Sequence, residues 1–299
     1  MENSISAKRR NWPKTILAWA AMLGLIAYLG IIVYLLINQK NMIYHPEGRQ
    51  VAAPAPKFSL HEQRVSYSSS DGVKLTAWIV PAKEVYEVKG MWMLICHGNL
   101  GNIGFGKRPE FYSFMRDTGV NLFAFDYRGY GDSTGSPDEL GLYADAQASY
   151  EYLTKTMHIA PDHIIIFGHS LGSGVAIELA SKVPAAGLIV EGAYISVAQR
   201  GQEIYPYLPI NLVSTQRFAS IDRIDAVKMP KLFLHSPEDS IIPYAHGQKL
   251  FAAAHGIKRF VDVKGGHQDA YSIDKAKYFG AVAQLLREVR PALATAVEQ

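Results

Sequence analysis

The chain has 299 residues, of which 48% are hydrophobic and 19% are charged. This composition is typical of a globular protein and favours one large domain over two. The formal net charge of +3 comes from an excess of basic residues within positions 1–40, so a nucleic-acid-binding face is not expected. The single cysteine, Cys96, excludes an intrachain disulfide and a zinc site made of several cysteines.

The segment Thr15–Ile37 contains no charged side chain. As a helix it spans roughly 34 Å, enough to cross a bilayer, and it is longer than the core of a cleaved signal peptide. It therefore predicts an uncleaved transmembrane helix over residues 15–37. The basic side chains that precede it are Lys8, Arg9, Arg10 and Lys14. The positive-inside rule then places residues 1–14 in the cytoplasm and the rest of the chain across the membrane, in the periplasm if the source is bacterial.

Residues 38–60 are rich in proline and predict a juxtamembrane linker that lies against the domain. The domain itself is expected over residues 61–299. It begins with Gln63–Ser69 and Val73–Pro81, which flank Asp71-Gly72. Because Asp-Gly between two alternating segments is a strong turn signal, we predict a β-hairpin here.

Beyond the hairpin, apolar strand-like runs alternate with helix-like segments. The predicted strands are Met91–Cys96, Asn121–Asp126, His163–Phe167, Gly187–Val190, Lys231–His235 and Arg259–Val263. The predicted helices are Pro109–Thr118, Asp138–Met157, Leu171–Val183, Pro243–Ala254 and Ser272–Val289. Short apolar strands that alternate with helices are typical of an α/β fold, with a mostly parallel central sheet covered by helices on both faces.

The stretch Gly192–Pro230 breaks this alternation. It is too long for an ordinary connection, it is rich in Tyr, Pro and Arg, and its helical patterning is weak. Ligands bind at the carboxyl ends of the strands in open α/β sheets. We therefore predict that residues 192–230 form a short cap insertion over a substrate pocket.

Two pentapeptides have the form G-x-S-x-G. Ser170 is the centre of Gly168–Gly172, and Ser133 is the centre of Gly131–Gly135. Ser170 directly follows an apolar strand and directly precedes a helix. A sharp turn there would expose its hydroxyl at a helix N-terminus, where N–H groups and the helix dipole stabilise an oxyanion. Ser133 lies in a loop rich in Gly and Pro with no helix behind it, and it is predicted to be a turn residue.

A serine nucleophile needs a base, and the base needs an acid that orients it. In the chain order of this arrangement, the acid follows a later strand and the histidine follows the last one. Asp239 follows the strand Lys231–His235 and is the predicted acid, with its neighbour Glu238 as the alternative. His267 follows the last strand and the pair Gly265-Gly266, and it is the predicted base.

The oxyanion of such a reaction needs two N–H donors. One is the backbone of Leu171, directly after the nucleophile, and the other comes from the loop after an earlier strand. That loop is His97–Asn102, in which Asn99 is the predicted donor and Leu100 is the alternative.

These residues resemble those of the α/β-hydrolase superfamily and, more narrowly, its membrane-anchored serine hydrolases of the bud-emergence type. The motifs that carry the resemblance lie between about Asn41 and Val289. They are MIYHP (Met42–Pro46), HGNLGN (His97–Asn102), DYRGYGDSTG (Asp126–Gly135), GHSLGSG (Gly168–Gly174), SPEDSIIP (Ser236–Pro243) and GGH (Gly265–His267). The resemblance implies an eight-stranded hydrolase sheet, a Ser170–Asp239–His267 triad and a place near the active site for DYRGYGDSTG. The sequence departs from the family at Ser236, where glycine is common.

The sequence thus predicts a membrane-anchored serine hydrolase that cleaves acyl ester or thioester bonds through an acyl-enzyme intermediate. No metal or organic cofactor is expected. The expected partners are a small-molecule or lipid acyl substrate and the membrane, but not nucleic acid.

Three alternatives stay open from the residues alone. A serine peptidase of the same fold would need an acidic group for the substrate amine, and Glu191 is one candidate. A catalytically silent membrane scaffold would keep the fold without the reaction. A nucleotide-binding protein is suggested by Gly101–Lys107, which has the spacing G-x-x-x-x-G-K, but Arg108 stands where a Mg²⁺-binding Ser or Thr is needed.

Overall fold

The apolar N-terminal segment forms one continuous helix, α1 (Trp12–Ile43). This helix of 32 residues is about 48 Å long, and it is long and apolar enough to cross a membrane. It extends beyond the predicted span 15–37 at both ends, so residues 38–43 of the predicted linker are helical. The physical reason is that no glycine or proline interrupts the chain between Ile37 and Pro46.

The structure is a computed structural model that describes residues 12–48, 51, 54, 56–83 and 90–289. Three of the basic side chains on which the predicted membrane orientation depends, Lys8, Arg9 and Arg10, lie outside the described residues. The last residues of the predicted domain, 290–299, also lie outside them.

Two extended segments of the chain pair outside the main sheet. β1 (His45–Pro46) and β5 (Leu100–Gly101) form a short parallel bridge. The segment behind α1 is therefore fixed to the loop that follows a central strand of the domain. Pro46 limits helical continuation, because the residue before a proline favours an extended backbone.

The domain is built on a sheet that has eight strands within the described part of the chain. In chain order they are β2 (Gln63–Ser68), β3 (Lys74–Val80), β4 (Trp92–Cys96), β6 (Asn121–Asp126), β7 (Ile164–His169), β8 (Gly187–Glu191), β9 (Lys231–His235) and β10 (Lys258–Asp262). Their order across the sheet is β10-β9-β8-β7-β4-β6-β3-β2. β3 runs antiparallel to β2 and β6, and all other neighbours are parallel. The predicted hairpin and strands are confirmed, with ends that differ by two residues at most.

Helices cover both faces of the sheet. They are α2 (Arg108–Arg116), α3 (Glu139–Glu151), α4 (Leu171–Ala180), α7 (Tyr244–Ala253), α8 (Ala270–Ile273) and α9 (Lys275–Val289). On β7, Ile164 and Ile166 belong to the buried cluster that contains α3 and α4, whereas Ile165 and Phe167 belong to the cluster that contains α2 and α9. Strands that are apolar on both sides require this double cover, and the predicted α/β class is confirmed.

The C-terminal helix differs from its prediction. The predicted helix Ser272–Val289 is divided into α8 and α9 at Asp274, whose backbone leaves the helical region. The Asp274 carboxylate accepts the N–H of Lys264 at 3.2 Å. This contact with the preceding loop competes with a continuous helix, as short acidic side chains do when they bind nearby backbone.

The insertion Gly192–Pro230 lies between β8 and β9, as predicted. It contains α5 (Val197–Ile204), α6 (Ile210–Val213) and two short 3₁₀ turns, Ser220–Asp222 and Ile224–Ala226. Its residues help to line a cavity of about 560 Å³. A cavity of this size is typical of small-molecule sites.

Candidate active site

Ser170 lies in the turn between β7 and α4. Its φ is 53° and its ψ is −124°, a conformation that costs a non-glycine residue roughly 1–3 kcal/mol and persists where the surrounding structure imposes it. The Ser170 N–H donates to the carbonyl oxygen of Glu191 at 3.0 Å. The turn therefore places the Ser170 side chain at the carboxyl edge of the sheet, directly before the N-terminus of α4.

Glycine is required at two positions of this turn, because neighbouring atoms occupy the space that a side chain would need. A Cβ on Gly172 would overlap the carbonyl oxygen of Cys96. A Cβ on Gly168 would overlap the carbonyl oxygen of Gly172 and the side chain of Ala176. The beginning of α4 is thus packed directly against the backbone of β4 and β7.

We expect Gly172→Ala to lower the free energy of unfolding by at least about 3 kcal/mol, because the overlapping atom is a backbone oxygen of a central strand. Gly280→Ala is the matched control in α9, where an added Cβ meets no atom within 4 Å among the described residues. It should instead stabilise the fold by roughly 0.5–1 kcal/mol. Urea unfolding of both variants measures the difference, and equal effects would contradict this packing.

The structure brings the predicted nucleophile, base and acid into one hydrogen-bonded chain. Ser170 Oγ lies 2.7 Å from Nε2 of His267, and Nδ1 of His267 lies 2.7 Å from Oδ2 of Asp239. An ionised carboxylate only accepts hydrogen bonds, so Nδ1 of His267 donates to Asp239. Nε2 of His267 is then free to accept the Ser170 proton, which is the tautomer that a general base requires.

The environment of Asp239 favours its ionised form. Oδ1 of Asp239 accepts the N–H groups of Ile241 and Ile242, both at 2.8 Å. Burial alone would raise the pKa of Asp239, but the hydrogen bond and charge of His267 and these two N–H groups outweigh it and hold the pKa below its usual value. Asp239 can therefore stabilise a positive charge on His267.

The alternative acid, Glu238, has an exposed side chain with no hydrogen bond to His267 in the described structure. Its backbone N–H donates to Oγ of Ser236 at 3.0 Å. Ser236 in turn donates to the carbonyl oxygen of Gly265. Ser236, at which the sequence departs from the resembled family, thus links the loop of the predicted acid to the loop of the predicted base.

The predicted oxyanion donors belong to two segments that approach Ser170. Leu171 is the first residue of α4, and a Cβ built on Gly98 would be 3.5 Å from the Cβ of Ser170. Within the described residues, the backbone N–H groups of Leu171 and Asn99 donate to no acceptor. Leu100, the alternative donor, belongs to β5 and also lines the cavity. An unpaired N–H beside a nucleophile is the group that an oxyanion hole needs.

The loop that carries Asn99 is fixed by contacts that the sequence did not reveal. The guanidinium of Arg108 donates to the carbonyl oxygens of Gly98, at 3.1 Å, and Asn102. The Asn99 side chain donates to the carbonyl oxygen of Ile43 at 2.7 Å, and the N–H of His45 donates to the carbonyl oxygen of Asn99 at 3.0 Å. Ile43 and His45 both belong to the juxtamembrane motif MIYHP, which is the signal of these contacts in the sequence.

His169 lies beside the predicted base. Nε2 of His169 donates to the carbonyl oxygen of His267 at 2.9 Å. Burial, followed by the charge of His267, lowers the pKa of His169 to about 3. His169 therefore stays neutral and holds the backbone of His267, the predicted base, in place.

The second G-x-S-x-G segment is structural in this fold. Oγ of Ser133 donates to the carbonyl oxygen of Asp126 at 2.8 Å and accepts the N–H of Thr76 at 3.0 Å. These contacts attach the loop after β6 to β3. Ser133 has no histidine partner among the described residues.

The loop Gly101–Lys107 does not form a phosphate-binding cradle. The N–H of Ile103 donates to Oδ1 of Asp126 at 2.8 Å, and the N–H of Gly104 donates to Oδ1 of Asn102 at 2.9 Å. A nucleotide-binding loop needs such N–H groups free to face the phosphates. The geometry therefore gives no support to the nucleotide alternative.

Glu191 ends β8 and lines the cavity. The Tyr278 hydroxyl donates to its Oε2 at 2.9 Å. Burial raises the pKa of Glu191 to about 8, with a smaller rise from the charge of Asp239, although the Tyr278 hydrogen bond opposes the shift. A carboxyl group that is protonated near neutral pH is a poor partner for a substrate ammonium, which disfavours the peptidase alternative.

The raised pKa of Glu191 makes a stability prediction. The pKa of Glu191 is 4.5 ordinarily and about 8 in the folded state. Between these two pH values, the folded state keeps a proton that the unfolded state releases. The free energy of unfolding is therefore not reduced by Glu191 below pH 4.5. Above pH 4.5 it decreases by up to about 1.4 kcal/mol per pH unit until the pH reaches the folded-state pKa. Glu191→Gln should remove this slope. Unfolding free energies of both proteins at pH 5 and pH 8 test it, and parallel pH profiles would contradict a protonated Glu191.

Comparisons with known proteins show the family to which the chain belongs. Residues 93–293 match the model of the alpha/beta hydrolase family. An uncharacterised protein of Mycobacterium tuberculosis is 35% identical, over 90% of this chain and 94% of its own length. Protein bem46 of Schizosaccharomyces pombe is 31% identical, over 91% of this chain and 94% of its own length.

Two further matches are more distant. The lysophosphatidylserine lipase ABHD12 of Danio rerio is 29% identical, over 72% of this chain and 64% of its own length. The esterase Pf2001 of Pyrococcus furiosus has a similar fold, with a TM-score of 0.67 and 19% identity over 82% of this chain and 97% of that structure. The family match covers well over half of the chain, and two of these relatives exceed 30% identity over most of it. The chain therefore belongs to the alpha/beta hydrolase family, among relatives that include bem46.

Proposed function

We propose that the protein is a membrane-anchored serine hydrolase that cleaves acyl ester or thioester bonds. The observation that carries this proposal is the hydrogen-bonded chain from Ser170 through His267 to Asp239, which lies at a largely apolar cavity. The two unpaired N–H groups beside Ser170 complete the set of groups that acyl transfer requires.

The proposed reaction proceeds through two acyl transfers. Ser170 Oγ attacks the acyl carbonyl carbon while Nε2 of His267 takes the hydroxyl proton. The carbonyl oxygen becomes an oxyanion and receives hydrogen bonds from the N–H groups of Leu171 and Asn99. His267 then donates the proton to the departing alkoxide or thiolate, which leaves an acyl-enzyme. Water attacks this ester while His267 takes one of its protons, and His267 returns that proton to Oγ of Ser170 as the C–O bond breaks and the carboxylic acid is released.

The apolar lining of the cavity favours binding of the acyl group of the substrate. Its lining includes Ile95, Phe111, Phe167, Val197 and Ile204. Burial of methylene groups against such side chains contributes about 0.8 kcal/mol each. The lipase name of the zebrafish relative supports a lipid acyl substrate.

The proposed topology has residues 1–14 in the cytoplasm and the hydrolase domain on the other side of the membrane, in the periplasm of a bacterium. The support is the apolar helix α1 and the basic residues before it. Protease treatment of sealed, right-side-out membrane vesicles tests this orientation. Digestion of the domain is expected, and protection of the domain until the membrane is opened would contradict it.

The function itself is tested with the full chain in detergent and a series of p-nitrophenyl esters and matching thioesters of increasing acyl length. We expect turnover that rises with acyl length and needs no added metal or cofactor. Absence of turnover on every substrate would favour the silent scaffold. Equal rates on short and long chains would count against a lipid substrate.

A further inference from the structure

We propose that the last turns of α1 are part of the substrate site, and that the substrate acyl chain lies between the cavity-lining side chains within residues 35–43 of this helix and the cap, Gly192–Pro230. This inference rests on the proposed function and names the residues that set its preference for acyl length. The helix would then have a second role besides attachment to the membrane.

The packing of α1 changes along its length. Residues 12–31 are exposed throughout. From Ile32 onwards, partly buried positions recur every three or four residues, and they are Ile32, Leu35, Asn38, Gln39 and Ile43. This spacing puts them on one helix face. The final three turns of α1 therefore pack on the domain, whereas the side chains of residues 12–31 stay exposed.

Directional contacts fix these turns relative to Ser170. The side chain of Gln39 accepts the N–H of Thr215 in the cap at 2.9 Å. The hydroxyl of Tyr44, a buried residue directly after the helix, donates to the side chain of Gln216 at 2.6 Å. At the other side, the carbonyl oxygen of Ile43 accepts the side chain of Asn99, the predicted oxyanion donor. The helix end is thus attached both to the cap and to the oxyanion loop.

The cavity that contains Ser170 and His267 continues along this helix. Its lining includes Leu35, Leu36, Gln39, Met42 and Ile43 of α1. From Ile43, which touches the oxyanion loop, to Leu35 the helix rises about 12 Å. The cap lines the same space with the apolar side chains of Val197, Ile204, Tyr205, Ile210 and Val213. An acyl chain attached to Ser170 can therefore lie against apolar side chains along α1.

The path along α1 leads toward the segment that is proposed to lie in the membrane. Leu35 and Leu36 are within residues 15–37, the proposed membrane span. The cap also reaches this span, because the hydroxyl of Tyr28 donates to the carbonyl oxygen of Tyr207 at 2.9 Å. Tyr207 and Leu212 of the cap are 88% and 86% exposed. Exposed apolar side chains beside a membrane helix are suited to contact with lipid. An amphiphilic substrate would thus pass from the bilayer to Ser170 between α1 and the cap.

Two adjacent positions of α1 provide the test. Leu36 lines the cavity, whereas Ile37 does not line it and is 74% exposed. We expect Leu36→Trp in the full chain to lower the ratio of kcat/KM for p-nitrophenyl laurate to that for p-nitrophenyl butyrate by at least about tenfold, because the indole fills space that the longer chain needs. Ile37→Trp should leave this ratio unchanged. Equal ratios in the two variants would overturn the inference.

A second pair covers the case in which Leu36→Trp does not fold. Met42 lines the cavity, whereas its neighbour Asn41 is exposed and does not. Met42→Trp is expected to lower the same ratio, and Asn41→Trp to leave it unchanged; equal ratios here also overturn the inference. If the wild-type chain cleaves neither ester and a fluorophosphonate does not label Ser170, the proposed function itself fails. That outcome differs from turnover with a normal ratio in all four variants, which rejects only the role of α1.

Discussion

Replacing Ser170 by alanine is expected to lower kcat for ester hydrolysis by about 10⁶-fold. Losses of this size are usual when a nucleophile that acts together with its base is removed. The hydroxyl is 2.7 Å from Nε2 of His267, and alanine offers no atom for the acyl-enzyme bond. Residual turnover would come from the oxyanion donors and substrate binding alone. Steady-state hydrolysis of p-nitrophenyl laurate by the full chain in detergent measures the loss.

Ser133→Ala is the matched control, since Ser133 occupies the same position of an identical five-residue pattern. It removes hydrogen bonds to Asp126 and from Thr76 in a buried loop, so stability should fall by about 1–3 kcal/mol. The kcat of the folded variant should stay within about threefold of wild type, because a loop contact remote from the acyl carbon makes no interaction specific to the transition state. A large loss of kcat in Ser133→Ala with little loss in Ser170→Ala would reverse the assignment.

Replacing Asp239 by asparagine is expected to lower kcat by about 10⁴-fold at neutral pH. An asparagine amide can donate a hydrogen bond to Nδ1 of His267, which the carboxylate cannot. Nε2 of His267 would then carry the proton and could not accept one from Ser170. Because the shape of the side chain is nearly unchanged, KM should change far less than kcat.

Glu238→Gln is the control for Asp239→Asn. Glu238 precedes Asp239 in the chain, but its exposed side chain makes no contact with His267 in the described structure. We expect kcat within about twofold of wild type, since an exposed charge remote from the reacting atoms has a small effect. If Glu238→Gln lost activity and Asp239→Asn kept it, the acid would have to be reassigned to Glu238.

The sequence was sufficient for those parts of the site that depend on short-range pattern. The turn at Ser170 was predictable because an apolar strand, two glycines and a helix follow one another within a few residues. Asp239 and His267 were predictable because each follows a strand that the apolar pattern shows. In a parallel sheet the carboxyl ends of the strands meet at one edge, so the chain order alone brings these residues together.

Other features of the site could not be predicted from the sequence. They depend on contacts between distant segments and on backbone atoms, about which the pattern of side chains gives no information. The carbonyl oxygens of Gly98 and Asn102 accept from Arg108, and the carbonyl oxygen of Ile43 accepts from Asn99. The proximity of the helix end to the cavity is of the same kind, since it requires the folded positions of α1 and the cap. The raised pKa of Glu191 likewise follows from its burial by the whole domain.

The proposed reaction depends above all on Ser170 as the nucleophile. The most direct test is to treat the full wild-type chain in detergent with a fluorophosphonate and to locate the adduct by peptide mass spectrometry. A phosphonyl group on the peptide that contains Ser170, absent in His267→Ala, is the expected result, because only an activated serine hydroxyl displaces the fluoride at a useful rate. An adduct on Ser133 instead of Ser170, or no adduct on the folded wild-type chain, would rule out Ser170 as the nucleophile.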